Sequence, residues 1–203
     1  MIHLAIPDIE LPVVIYEGAI YGIFGKTNGD RIIEQYKNQT PAHGDCRDVF
    51  SAILTDYWFE CASQKFALAM TSGSQNAFVY HFKHVFSSSF IFPEFGLPKV
   101  CVNRTCHASE LPFVFHASTN PAVQALNATF TPAEVVLSGQ FSSYWTCFVM
   151  TGDPNKCNHD LPIWPAWNLI TRENLELVTP SPVGNNTLSM CSFWDTVGYV
   201  HVM

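Results

Sequence analysis

The stretch Cys101-Val102-Asn103-Arg104-Thr105-Cys106-His107-Ala108-Ser109-Glu110-Leu111-Pro112-Phe113-Val114-Phe115 constrains the fold more than any other part of the chain. His107 directly follows Cys106, which can close a short loop back to Cys101. One small residue, one polar residue, a glutamate and a tight apolar cluster come next. Closing so small a loop restricts the chain locally and fixes the entry to His107. The arrangement holds one imidazole at the end of a loop. Residues 86–104, with Pro93, Gly96 and Pro98, form the irregular connection that leads to it, the kind of segment that carries function.

Cysteine usage points to an oxidising history. Seven cysteines in 203 residues allow three disulfides with one thiol left over. Asn38-Gln39-Thr40, Asn103-Arg104-Thr105, Asn127-Ala128-Thr129 and Asn185-Asn186-Thr187 are N-x-T acceptors, so Asn38, Asn103, Asn127 and Asn185 are candidate glycosylation sites. The first eight residues nevertheless show no basic region, no long apolar run and no small-residue cleavage site. Secretory composition without a signal peptide leads to the expectation that the true N-terminus lies upstream and that the full-length protein is secreted or extracellular. No stretch is long and apolar enough to span a membrane. A net charge of −7, without a Lys/Arg cluster to track phosphates, argues against nucleic acid as a partner.

The length suits a single domain with ample apolar material, 48% of residues. Along the chain, residues 11–16 read as a buried strand, a continuous apolar β-branched run ending at Glu17-Gly18. Glu17 is then either a carboxylate at a strand end, a common place for a site residue, or an acidic residue opening a helix over 19–24. Asn28-Gly29-Asp30 reads as a turn, with Asp30 capping a short helix through Lys37. Residues 46–59 and 60–70 read as helices, the second stopped by Ser72-Gly73-Ser74. Residues 76–84 alternate and are rich in aromatics, the mark of a strand. His81 and His84, three apart on it, would face opposite ways and share no metal; no zinc-ligand spacing occurs anywhere. Thr131-Pro132-Ala133-Glu134 is a capping box with proline at the first helical position, and its helix should stop at Gly152-Asp153-Pro154. Residues 161–167 read as rigid loop, 174–178 as a short strand and 187–197 as a terminal helix.

These residues resemble the type-B carboxylesterase and cholinesterase family of α/β-hydrolases. That family's histidine motif runs His-Gly-x-Glu-(Leu/Ile)-x-Phe-(Val/Ile)-Phe; here stands His107-Ala108-Ser109-Glu110-Leu111-Pro112-Phe113-Val114-Phe115. Tyr144-Trp145-Thr146-Cys147-Phe148-Val149-Met150-Thr151-Gly152-Asp153-Pro154-Asn155 looks like the family's Tyr-Trp-x-Asn-Phe-x-x-Thr-Gly-Asp-Pro-Asn. Trp164-Pro165 and Cys191-Ser192-Phe193-Trp194 follow in family order. Asp56-Tyr57-Trp58-Phe59-Glu60-Cys61 and Val79-Tyr80-His81-Phe82 match the stretch that precedes the family's last large strand. The resemblance covers nearly the whole chain. It implies that residues 1–203 are the C-terminal part of a carboxylesterase domain, an α/β fold incomplete without upstream strands.

It further implies a Ser-Glu-His triad, in that chain order, with His107 as general base and Glu17 as the acid that orients it. A carboxylate accepting the imidazole Nδ1–H sets the tautomer and stabilises the imidazolium that forms as serine attacks an ester. The substrate would be an ester, once the fold is completed by its N-terminal part. No cofactor and no metal are implied. Cys101–Cys106 is the expected disulfide, and Cys147–Cys157, flanking the Thr-Gly-Asp-Pro-Asn turn, a second. Two departures stand out. Ala108 replaces the motif's glycine, which costs strain if that position has φ > 0. And no G-x-S-x-G occurs, nor a glycine-rich oxyanion stretch, so this chain alone is expected to be inactive. The alternative is a non-catalytic, cholinesterase-like adhesion or binding module.

Overall fold

A computed structural model describes residues 10–41, 43–87, 104–121, 130–157, 160–180, 183–185 and 189–199. The chain divides into two compact units, residues 1–66 with 187–203, and residues 67–186.

The first unit is helical. Helix α1, Val13–Gln35, begins where the sequence led us to expect a strand. The Pro12 carbonyl accepts from the backbone N–H of Ile15 (3.0 Å) and Tyr16 (2.9 Å), which opens the helix. The apolar run does not decide the matter; the spacing of Tyr16, Ile20 and Phe24 does. These residues stand four apart and are all buried, whereas Val14 and Ile15, which a buried strand would hide, are 77% and 58% exposed. Asn28-Gly29-Asp30 is likewise inside α1 and not a turn, and Asp30 caps nothing. Its carboxylate accepts from the Tyr21 hydroxyl (2.9 Å) and pairs with Lys26 (3.3 Å). The one break in α1 is Gly25, at φ 72° and ψ 167°, a region that side chains carrying a Cβ essentially do not enter.

Helix α2, Arg47–Thr55, runs through a single π-helical turn, Asp56–Glu60, into α3, Cys61–Ser72. Helix α6, Ser189–Val197, returns to this unit at the end of the chain. The core comprises Tyr16, Ile20, Phe24, Ile32, Tyr36, Ile53, Tyr57 and Trp194, each large buried side chain contributing about 1.5–3 kcal/mol. At its centre the Trp194 indole N–H donates to the Tyr36 hydroxyl (2.9 Å), which itself donates to Asp56. Burial raises the Asp56 carboxyl above its ordinary value of 3.8, although the Tyr36 hydrogen bond works against this. Cys61 and Cys191 form a disulfide across 130 residues of chain. Closing so long a loop removes unfolded-state entropy on the order of 4–5 kcal/mol in the chain-entropy model. Cys46 is buried and reduced.

The second unit is built on a three-stranded sheet in the order β1-β2-β3: Tyr80–Phe82, Glu173–Leu177 and Val183–Asn185. Strand β1 is parallel to β2 with His81 opposite Glu176, and β2 is antiparallel to β3. The strand expected over 76–84 is thus three residues long. Ahead of it, the Ala77 carbonyl accepts from the Trp167 N–H (2.7 Å), and the Val79 carbonyl accepts both from the Leu175 N–H of β2 (3.0 Å) and from the Trp164 indole (2.9 Å). The parallel crossover from β1 to β2 holds the short helix α4, Leu111–Val114, and the long helix α5, Pro132–Thr151. Helix α5 starts on the expected capping box: Thr131 Oγ1 accepts from the Glu134 N–H (3.3 Å), and Glu134 reaches back to the Thr131 N–H (2.8 Å). It ends at Gly152, left-handed at φ 74°. Its inner face sets Leu137, Phe141 and Tyr144 against Phe82, Phe113, Trp164, Leu175 and Leu177.

Candidate active site

The residues around His107 form a turn closed from both ends. The Ser109 N–H donates to the Cys106 carbonyl (3.1 Å), and the Cys106 N–H donates to Ser109 Oγ (2.9 Å). Ala108 has φ 70°, and His107 keeps a negative φ, so the four residues make a type II turn. Such a turn demands φ > 0 at its third position, which is why glycine suits it. Alanine bears strain there, roughly 1–2 kcal/mol. His107, at the second position, is exposed on the outside of the turn, while Cys106 is buried. Cys106 is disulfide-bonded; Cys101, its expected partner, lies outside the described residues.

The chain beyond the turn is anchored at once. The Leu111 N–H donates to the Ala108 carbonyl (3.2 Å) and starts the approach to α4. Phe113 is fully buried and packs on Phe82, His84 and Phe141, with ring centroids 5.4, 5.3 and 6.4 Å away. Its carbonyl accepts from Ser138 Oγ on α5 (3.0 Å).

A second cluster stands beside it, and little in the sequence revealed it. Glu134, 1% exposed, does more than cap α5. Its Oε1 accepts from the His84 ring (2.9 Å) and the Ser87 N–H (2.7 Å); its Oε2 accepts from Ser87 Oγ (2.7 Å), the Thr131 N–H and Thr131 Oγ1 (3.0 Å). A carboxylate can only accept, so His84 donates through Nε2–H. Burial alone would raise the Glu134 carboxyl; the bonds from His84, Ser87 and Thr131 outweigh it and hold the group down at about 2. The capping box marked Glu134, but its partner 50 residues upstream carries no spacing that links the two.

Glu17 lies half-buried inside α1, four residues after its start at Val13, so it stands neither at a strand end nor ahead of a helix over 19–24. It belongs to the first unit and His107 to the second. Cys147 and Cys157 are joined by a disulfide. The Asn155 side chain donates to Asp153 (3.1 Å) and to the Trp164 carbonyl (2.9 Å), which ties the Thr-Gly-Asp-Pro-Asn turn to the core. Of the sequon asparagines, Asn38 is exposed just beyond α1, Asn185 lies in β3, and Asn103 and Asn127 fall outside the described residues.

Residues 18–194 match the model of the carboxylesterase family. The chain belongs to that family, and with it to the α/β-hydrolase fold, of which the helices and small sheet described here make up a part. It is 26% identical over 201 residues to the crystal protein of Dictyostelium discoideum, covering 91% of this chain and 32% of that protein. It is 31% identical over 153 residues to acetylcholinesterase 1 of Caenorhabditis briggsae, covering 70% and 23%. Human neuroligin-2 is 29% identical over 110 residues, 47% of this chain and 13% of its own. The chain thus spans about a third or less of these relatives. Among the described residues, no helix is long and apolar enough to cross a membrane.

Proposed function

We propose that this chain is the histidine-bearing, C-terminal part of a carboxylic ester hydrolase in which His107 is the general base. The observation that supports this best is the Cys106–Ser109 turn. It presents an exposed imidazole on a backbone held by two reciprocal hydrogen bonds and followed by a fully buried phenylalanine. Fixing an imidazole in this way is what general-base catalysis requires, because the ring must meet the serine hydroxyl at hydrogen-bond distance. Glu17 takes the orienting role by its place in the family motif alone. The serine and the oxyanion donors come from residues other than these 203, and the substrate is an ester. The disulfides Cys61–Cys191 and Cys147–Cys157 support a secreted or extracellular setting.

A second reading, a non-catalytic binding module, draws on the similarity to neuroligin-2 and on the strained Ala108. One experiment separates the two. Full-length transcripts containing this sequence are cloned, and the product is exposed to a fluorophosphonate probe and to p-nitrophenyl butyrate. Labelling, with hydrolysis that falls about 10³-fold or more in His107→Ala, supports the hydrolase. A folded product that takes no label and cleaves no ester assigns the chain to the binding class. The same assay on Glu17→Gln decides that residue's role: unchanged turnover removes it from the triad.

A further inference from the structure

We propose that Glu134 and His84 form a positioning pair that holds the His107 turn from the N-terminus of α5. The inference rests on the reading of His107 as the base, and it adds residues which that reading does not contain.

The turn has two flanks, and α5 grips both. On the upstream flank, Glu134 binds the His84 ring and both the N–H and hydroxyl of Ser87, directly after β1. The His84 carbonyl accepts from Thr105 Oγ1 (3.4 Å), and Thr105 precedes Cys106, the first residue of the turn. The His84 N–H is itself held by the Leu177 carbonyl of β2 (3.2 Å), so the residue that receives Thr105 is tied to the sheet. On the downstream flank, Ser138, one helical turn beyond Glu134, binds the Phe113 carbonyl. The His84 ring lies edge-on to the Phe113 ring at 5.3 Å, which joins the two flanks.

A cap alone needs far less than this. Thr131 and Glu134 already satisfy the helix end between them, yet Glu134 takes three further hydrogen bonds from residues 84 and 87. All of these sit on the route to the turn. A buried carboxylate with five donors is also rigid, since moving it breaks several charge-assisted bonds together.

The test follows the His107 ring by NMR in the full 203-residue chain, its signal assigned with His107→Gln. Two variants are compared. Thr131→Ala weakens the cap and leaves the bonds from Glu134 to His84 and Ser87. Glu134→Gln keeps the shape but turns an amide NH2 toward one set of donors. The expected result is that both lower the melting temperature, and that only Glu134→Gln shifts or broadens the His107 ring signal. No movement in folded Glu134→Gln, or equal movement in Thr131→Ala, overturns the proposal. If either variant does not fold, Thr105→Val decides: it removes only the hydroxyl joining the turn to His84, and an unmoved His107 signal then overturns the proposal. None of these readouts needs turnover. An unshifted ring therefore overturns the coupling and leaves the hydrolase reading standing, whereas failure of the full-length product to take the fluorophosphonate label overturns the hydrolase reading and leaves the coupling intact.

Discussion

Ala108 carries a cost that a single substitution can remove. Its φ of 70° sits where a Cβ is disfavoured, and the turn's hydrogen bonds hold it there. Ala108→Gly is expected to raise stability by about 1 kcal/mol, a rise in melting temperature of roughly 2–4 °C for a chain this size. An unchanged or lower melting temperature would mean that the turn is not held as described. Glu134 and Asp56 respond to pH in opposite senses. Glu134, held at about 2 against an ordinary 4.5, contributes stability above pH 4.5 that is lost as pH falls towards 2. That contribution is roughly 3 kcal/mol, and Glu134→Gln should remove most of the acid-side slope of stability. Asp56, raised by burial, contributes stability below its ordinary 3.8 that is lost as pH rises through its folded value. Urea midpoints measured from pH 2 to 6 on Glu134→Gln and on Asp56→Asn separate the effects.

At the scale of elements, helix α5 was legible because its signals are local. Thr131, Pro132 and Glu134 cap it within four residues, and Gly152 supplies the left-handed stop. The first helix was not legible. Val13, Val14 and Ile15 favour a strand by propensity, but burying Tyr16, Ile20 and Phe24 on one face outweighs the few tenths of a kcal/mol per residue at stake. Gly25 lets α1 break without a loop, and an added Cβ there would meet nothing within 4 Å. Gly25→Ala should therefore destabilise the first unit through backbone strain alone, by about 1–3 kcal/mol, measurable as a lower urea midpoint. A midpoint equal to the parent's would show that the break relaxes.

The whole molecule sets the limit on chemistry. If His107 is the proposed base, its nucleophile is not a G-x-S-x-G serine of these 203 residues, and the sequence holds no glycine-rich oxyanion stretch, the feature that supplies the largest contribution in such enzymes. The purified chain is expected to cleave p-nitrophenyl butyrate no faster than free imidazole at equal concentration. Faster cleavage, abolished in His107→Ala, would reveal a nucleophile of another kind.

Motifs of a few neighbouring residues were enough to read the family, the histidine turn, the capping box of α5 and the stop at Gly152. Each of these depends on backbone geometry within about one turn of chain, which side chains dictate directly. Whether residues 11–16 form a strand or a helix depended on which face the core buries. Whether Glu134 ends as a cap or as a five-donor carboxylate depended on β1 delivering His84 and Ser87 to it. Those outcomes come from contacts between residues far apart in sequence, whose energies exceed the local preferences they override, and only the tertiary structure decided them.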